Sequence, residues 1–133
     1  MPKITFKNLN SEKQDHIFNS LLKEFSKFPV SKAKVSRIIV SANIARGSFY
    51  KYFDNLEDSY RYTFDCVMQT VHADLYQEIS SSPKDTLNSF YQYTKKFAKE
   101  LNHSKYKDFY KLYLKYNQYY LSGSIHKTKR MKN

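Results

Sequence analysis

The chain has 133 residues, a formal net charge of +11 and a pI near 9.6, a balance that favours polyanionic partners. Its single cysteine, Cys66, excludes an internal disulfide framework, and no apolar run approaches the roughly 18 residues needed to span a bilayer. Two Gly and three Pro leave little room for a many-turned sheet, so an all-α fold with a modest buried core is expected.

The charge is unevenly placed. Residues 1–60 carry a net +4, residues 61–104 are balanced, and residues 105–133 carry +7. The opening stretch MPKITFKNLN lacks the apolar run of a signal peptide, and with one unpaired thiol this predicts a soluble protein in a reducing, intracellular compartment.

In chain order, the first helical pattern places Ile17, Phe18, Leu21, Leu22 and Phe25 on one face. Residues 31–53 then carry two short helical patterns on either side of Asn43-Ile44. Val35, Ile38 and Ile39 face inward in the first, with Lys34, Ser36 and Arg37 on the other side. Phe49 and Phe53 lie four apart in the second, which leaves Arg46, Ser48, Tyr50 and Lys51 for an anionic surface. The turn needs a left-handed residue, and after Gly, Asn is the usual choice. This is the pattern of a DNA-reading helix-turn-helix. Gly47 lowers helix propensity by about 1 kcal/mol relative to Ala, so it wants a reason: close approach of the backbone to DNA, or tight packing within the protein.

From about Asn55 to Ser80, Tyr60, Phe64, Val67, Val71, Leu75 and Ile79 recur every three or four positions, which predicts one long helix. Ser80-Ser81-Ser82-Pro83 breaks it. A fifth helix carries Leu87, Phe90, Tyr91, Thr94, Phe97, Ala98 and Leu101. After the turn Asn102-His103-Ser104, a sixth runs from about Lys105 to Leu121 with Phe109, Tyr113, Tyr116 and Tyr120 on one side. The tail IHKTKRMKN is basic and unpatterned.

Residues 12 to 60 resemble the TetR family of bacterial transcription regulators. The resemblance rests on the inward aliphatic pair, the turn, and above all Gly47-Ser48-Phe49-Tyr50-Lys51-Tyr52-Phe53, followed by Asn55-Leu56-Glu57-Asp58 at the start of a linker helix. It implies an N-terminal three-helix DNA-binding bundle with a helix-turn-helix (1–54), then a linker helix and a short C-terminal helical region with a basic tail (55–133). There are departures. Asn43 replaces the usual Gly, Ala33 and Ala45 stand where Ser or Thr would cap the second and third helices, and Leu56 stands where many relatives place a phosphate-touching Lys. Ser31 is the alternative cap for the second helix.

The residues expected to meet double-stranded DNA are Lys34, Ser36, Arg37, Arg46, Gly47, Ser48, Tyr50, Lys51 and Tyr52. Arg46 and Ser48 would meet base edges, and Lys34, Ser36, Tyr50 and Lys51 phosphates. Tyr52 and Tyr50 also suit packing. The resemblance further implies a repressor acting as a homodimer on a palindromic operator in the bacterial cytoplasm, with the dimer formed through residues 84–121. It also implies an effector site, for which Phe64, Met68, Tyr91, Phe97 and Phe109 are conceivable walls, although aromatics at helical spacing more often form core. No metal site is expected from four scattered His, no cofactor, and no catalysis: phosphate loop, nucleophile elbow and paired His are all missing, and Cys66 and His72 fall on nearly opposite helix faces. Two other readings remain. One is a shortened interaction module that pairs with a full-length relative; the other is non-specific polyanion binding through Lys105 to Lys132.

Overall fold

A computed structural model describes residues 2–81 and 86–116. Helices α1 (Ile4–Lys7), α2 (Ser11–Lys27), α3 (Val35–Ala42), α4 (Arg46–Tyr52), α5 (Leu56–Ser81) and α6 (Thr86–Asn102) are followed by α7, which covers residues 107–116. The fold is all-α, as the composition predicts, and no strand occurs among the described residues.

Local chemistry sets the boundaries. Asn10 caps α2, its Oδ1 accepting the Lys13 N–H at 2.8 Å, and Phe28-Pro29 stops it because the residue before proline is driven into extended backbone. At the end of α3, Asn43 takes φ 55° and ψ 49°, the left-handed turn expected of it. The Ile44 N–H reaches back to the Ile39 carbonyl at 3.0 Å, the six-to-one closure of a Schellman motif. Asn55 starts α5 by accepting the Asp58 N–H at 2.8 Å, while the Asp58 carboxylate accepts the Asp54 N–H at 3.0 Å.

One cap differs from expectation. α3 begins one residue later than Ala33 implies: Lys34 is its N-cap, Ala33 is buried, and Ser31 sits in the preceding turn. No side chain of the cap residue closes this end. Instead Glu24, on α2, accepts the Lys34 N–H at 3.0 Å. Ala45 does precede α4, again without a side-chain cap.

The core joins Ile17, Leu21 and Phe25 of α2 to Ile38, Phe49 and Phe53 of the helix-turn-helix and to Val67 of α5. Each such side chain contributes roughly 1.5–3 kcal/mol by leaving water. Burial does not stop at residue 54, since Phe25 packs edge-on against Tyr60 at 5.1 Å and Phe109 of α7 lies 5.8 Å from the same ring. Ser59 and Thr63 are fully buried on α5 and satisfy their hydroxyls on the helix's own carbonyls, at 2.6 and 2.8 Å. Leu56 packs partly buried against this core.

The sequence pattern misses α1. Its Phe6 is buried and meets Tyr52, Phe53 and Tyr62 at 6.0, 5.2 and 5.0 Å between ring centres. Beyond the core, α6 packs on α5: the Tyr93 hydroxyl donates to the Val71 carbonyl at 3.3 Å, and Phe97 stacks on His72 at 5.4 Å. α7 begins two residues later than Lys105, after a turn in which Ser104 Oγ accepts the Tyr106 N–H. The expected run of this helix to Leu121, its Tyr120, the basic tail and the Ser82-Pro83 break lie outside the described residues, as do the side chains of Leu75 and Ile79.

Candidate nucleic-acid interface

α4 is anchored from below and bare above. Phe49 and Phe53 are completely buried, which fixes the helix axis, and the Phe49 and Tyr50 rings meet edge-on at 5.2 Å. Opposite them Arg46, Gly47, Tyr50 and Lys51 are exposed, with Tyr50 at 40% and Ser48 half-buried beside them. Tyr52 behaves otherwise: half-buried, its ring packs on Phe6, so the packing side of its two expected roles is occupied.

A Cβ built on Gly47 would meet no atom within 4 Å. Tight packing inside the protein therefore does not account for this glycine. What its missing side chain leaves is an open strip of backbone in the first turn of α4, between Arg46 and Ser48.

The far end of α4 is held by the N-terminal segment. The Lys3 N–H donates to the Tyr52 carbonyl at 2.8 Å, its Nζ donates to the Tyr50 carbonyl at 3.0 Å, and the same ammonium lies 3.3 Å from Asp54. A cation placed on the last carbonyls of a helix satisfies both their lone pairs and the helix dipole. Neither Lys3 nor Phe6 was legible beforehand, since four helical residues are too few to show a period.

At the start of α3, the N-cap Lys34 and Ser36 are exposed. Arg37 is not disposed in the same way. Its Nε donates to both Glu24 oxygens at 3.1 and 2.9 Å, its Nη2 lies 2.8 Å from Oε2 and donates to the Lys32 carbonyl at 3.0 Å, and the guanidinium sits 3.9 Å above the Phe28 ring. These bonds tie α3 to α2.

The five residues considered as effector walls do not come together. Phe64 and Phe109 line a half-open cleft of about 650 Å³ between the end of α2, α5 and α7, with Tyr60, Arg61 and Tyr113. Phe97 borders a separate hollow of about 150 Å³ with Val71 and Leu101. Met68 lines neither, and Tyr91 is 55% exposed with the Lys95 ammonium 4.7 Å from its ring centre. Burial, then the neighbouring Tyr113 and Tyr116, pushes the Tyr60 phenol up, so it stays a neutral donor in the cleft. The thiol of Cys66 is likewise pushed up, by burial first. No group of three or more metal-ligating side chains occurs among the described residues, and none of the described helices is long and apolar enough to cross a membrane.

Neither a family model nor a curated protein matches the chain. Among solved structures, it is similar to a TetR family transcriptional regulator from Chloroflexus aurantiacus J-10-fl, with 38% identity and a TM-score of 0.54. The match covers 58% of this chain and 36% of that one, so the chain spans about a third of its neighbour's length. At that identity and score the likeness reaches sequence as well as fold, and over the matched part the chain is TetR-like.

Proposed function

We propose that the protein is a transcriptional regulator that reads double-stranded DNA by laying the exposed face of α4 in the major groove. Gly47 carries the reading. An exposed helical glycine with nothing in the protein to make room for is what close approach of an outside surface requires, and the basic and hydroxyl side chains around it suit a phosphate-rich one.

In this reading Arg46 and Ser48 meet base edges, while Lys34, Ser36, Tyr50 and Lys51 grip phosphates and set the register. Arg37 acts indirectly, by holding α3 on α2. The first 54 residues form the reading unit, and the rest links and pairs it. Two copies associate through residues 84–121, where Leu87, Tyr91, Leu114 and Tyr116 are exposed, and repress from a palindrome with half-sites about 34–36 Å apart. The aromatic cleft is the place for an effector, catalysis has no part, and the protein works in the bacterial cytoplasm.

Selection from a random duplex library at physiological salt tests this, with the mass of the protein measured in the same buffer. A dimer that enriches a palindrome is the expected result. A monomer that enriches nothing would sink the reading, and weak, sequence-blind binding would move it to a general polyanion surface.

A further inference from the structure

Two grooves flank α2, and two lysines separate them. On one side, Lys23 and Lys27 border a groove of about 500 Å³ whose other wall is Ser36, Arg37 and Val40 of α3. On the other, the same two lysines border a shallower hollow of about 340 Å³ closed by Lys105, ahead of α7. Lys23 and Lys27 therefore form an exposed ridge that begins beside Ser36 and ends at Lys105.

Two acidic groups border it. Glu24 faces the first groove, but it is 7% exposed and its oxygens are taken by Arg37 and the Lys34 N–H. Asp108 borders the second hollow beside Lys105. The Lys105 ammonium is also placed, and not trailing: it lies 3.5 Å from Asn19 Oδ1 and 5.8 and 5.4 Å from the ring centres of Phe18 and Tyr106. On the α3 wall of the first groove Val40 is 79% exposed, and the charge of Arg37 beside it is engaged by Glu24.

We infer that Lys23, Lys27 and Lys105 form a second track for the DNA backbone, outside the helix-turn-helix, which receives phosphates flanking the half-site that α4 reads. This rests on the groove-reading proposal above. The track follows from geometry: point-like ammonium groups one helical turn apart on α2, continued by a third on a different element, suit successive phosphates and carry no base preference. Its consequence is a contact to flanking duplex that adds affinity and salt dependence equally to every sequence.

The test compares a triple variant, Lys23→Ala/Lys27→Ala/Lys105→Ala, with Arg46→Ala and with a control, Lys7→Ala/Lys13→Ala, two exposed lysines outside the track, the helix-turn-helix contacts and residues 84–121. Binding to the selected operator and to a random duplex is measured from 50 to 200 mM salt. Each lost phosphate contact should flatten the slope of log affinity on log salt by about 0.9, so the track variant, which loses three contacts in each of two copies, should lose about 5 while its ratio of operator to random binding holds. The control should keep the parental slope, and Arg46→Ala should change the ratio. A track variant with an unchanged slope, beside an Arg46→Ala that loses preference, overturns the track and leaves groove reading standing. Failure of the parent protein to bind either duplex overturns both.

Discussion

Glu24 and Arg37 link α2 to the helix-turn-helix: one carboxylate, 7% exposed, holds the guanidinium at 2.8 Å and the Lys34 backbone N–H at 3.0 Å. A missing cap on α3 is thus supplied from another helix. The same pair uses an arginine that sequence position alone assigns to DNA.

Removing Arg37 leaves the Glu24 carboxylate buried without its main contact, whereas removing Glu24 releases a guanidinium that is 40% exposed and leaves the Lys34 N–H without its acceptor. Glu24→Ala should destabilise the fold by about 2 kcal/mol, since it frees a charged group from its partner and strands a helix-end N–H. Arg37→Ala should cost about as much, through the carboxylate left behind. Urea unfolding followed by circular dichroism measures both, and losses below about 0.5 kcal/mol would show a solvated surface pair.

The turn makes a separate prediction. Asn43→Ala should cost roughly 1–2 kcal/mol because a Cβ without a local hydrogen-bonding group pays the left-handed penalty, and Asn43→Val should cost more. Asn43→Gly should hold stability. Thermal melts that rank the three otherwise would mean that the backbone relaxes out of φ 55°.

On DNA, Arg46→Ala should relax the choice among sites, while Lys51→Ala should weaken operator and random duplex alike and flatten the salt slope by about two, one contact in each copy. Gly47→Ala separates fold from function most sharply. It should keep or raise stability, since nothing in the protein crowds the added Cβ, and should lower affinity for the operator. An unchanged affinity would leave the glycine without a role.

Phe6→Ala should cost about 2 kcal/mol, below the usual loss for a core Phe because the N-terminal segment can detach before the rest unfolds. With it, the Lys3 bonds to Tyr50 and Tyr52 should open. Hydrogen exchange in α4 reports this, and unchanged protection there would show that the helix needs no support from residue 3.

Burial holds the Cys66 thiol protonated above its ordinary range. Alkylation at pH 8 should therefore be slower in the folded protein than after denaturation. The unfolded thiol ionises first, so this group's share of stability is present at neutral pH and lost as pH rises above its ordinary value of 9.0. Equal alkylation rates for folded and unfolded protein would contradict it.

Composition determined the all-α class, and periodicity the apolar face of α2, the extent of α5 to within a residue and the turn at Asn43, because each depends on residue type, local spacing or one residue's own backbone preference. The motif from Gly47 to Phe53 likewise announced an inward pair and an exposed basic face. Tertiary structure decided what spacing cannot encode. Arg37 looks outward on a helical wheel, yet it is claimed by a carboxylate thirteen residues earlier. Phe6 sits in a segment too short to show a period, yet it closes the core beneath α4. The supposed effector walls share a helical spacing, but α5, α6 and α7 pack so that Phe64 and Phe109 meet one cleft and Phe97 another. Each outcome turns on which helix lies beside which, a long-range choice made by burial of the whole core and not by any single stretch of sequence.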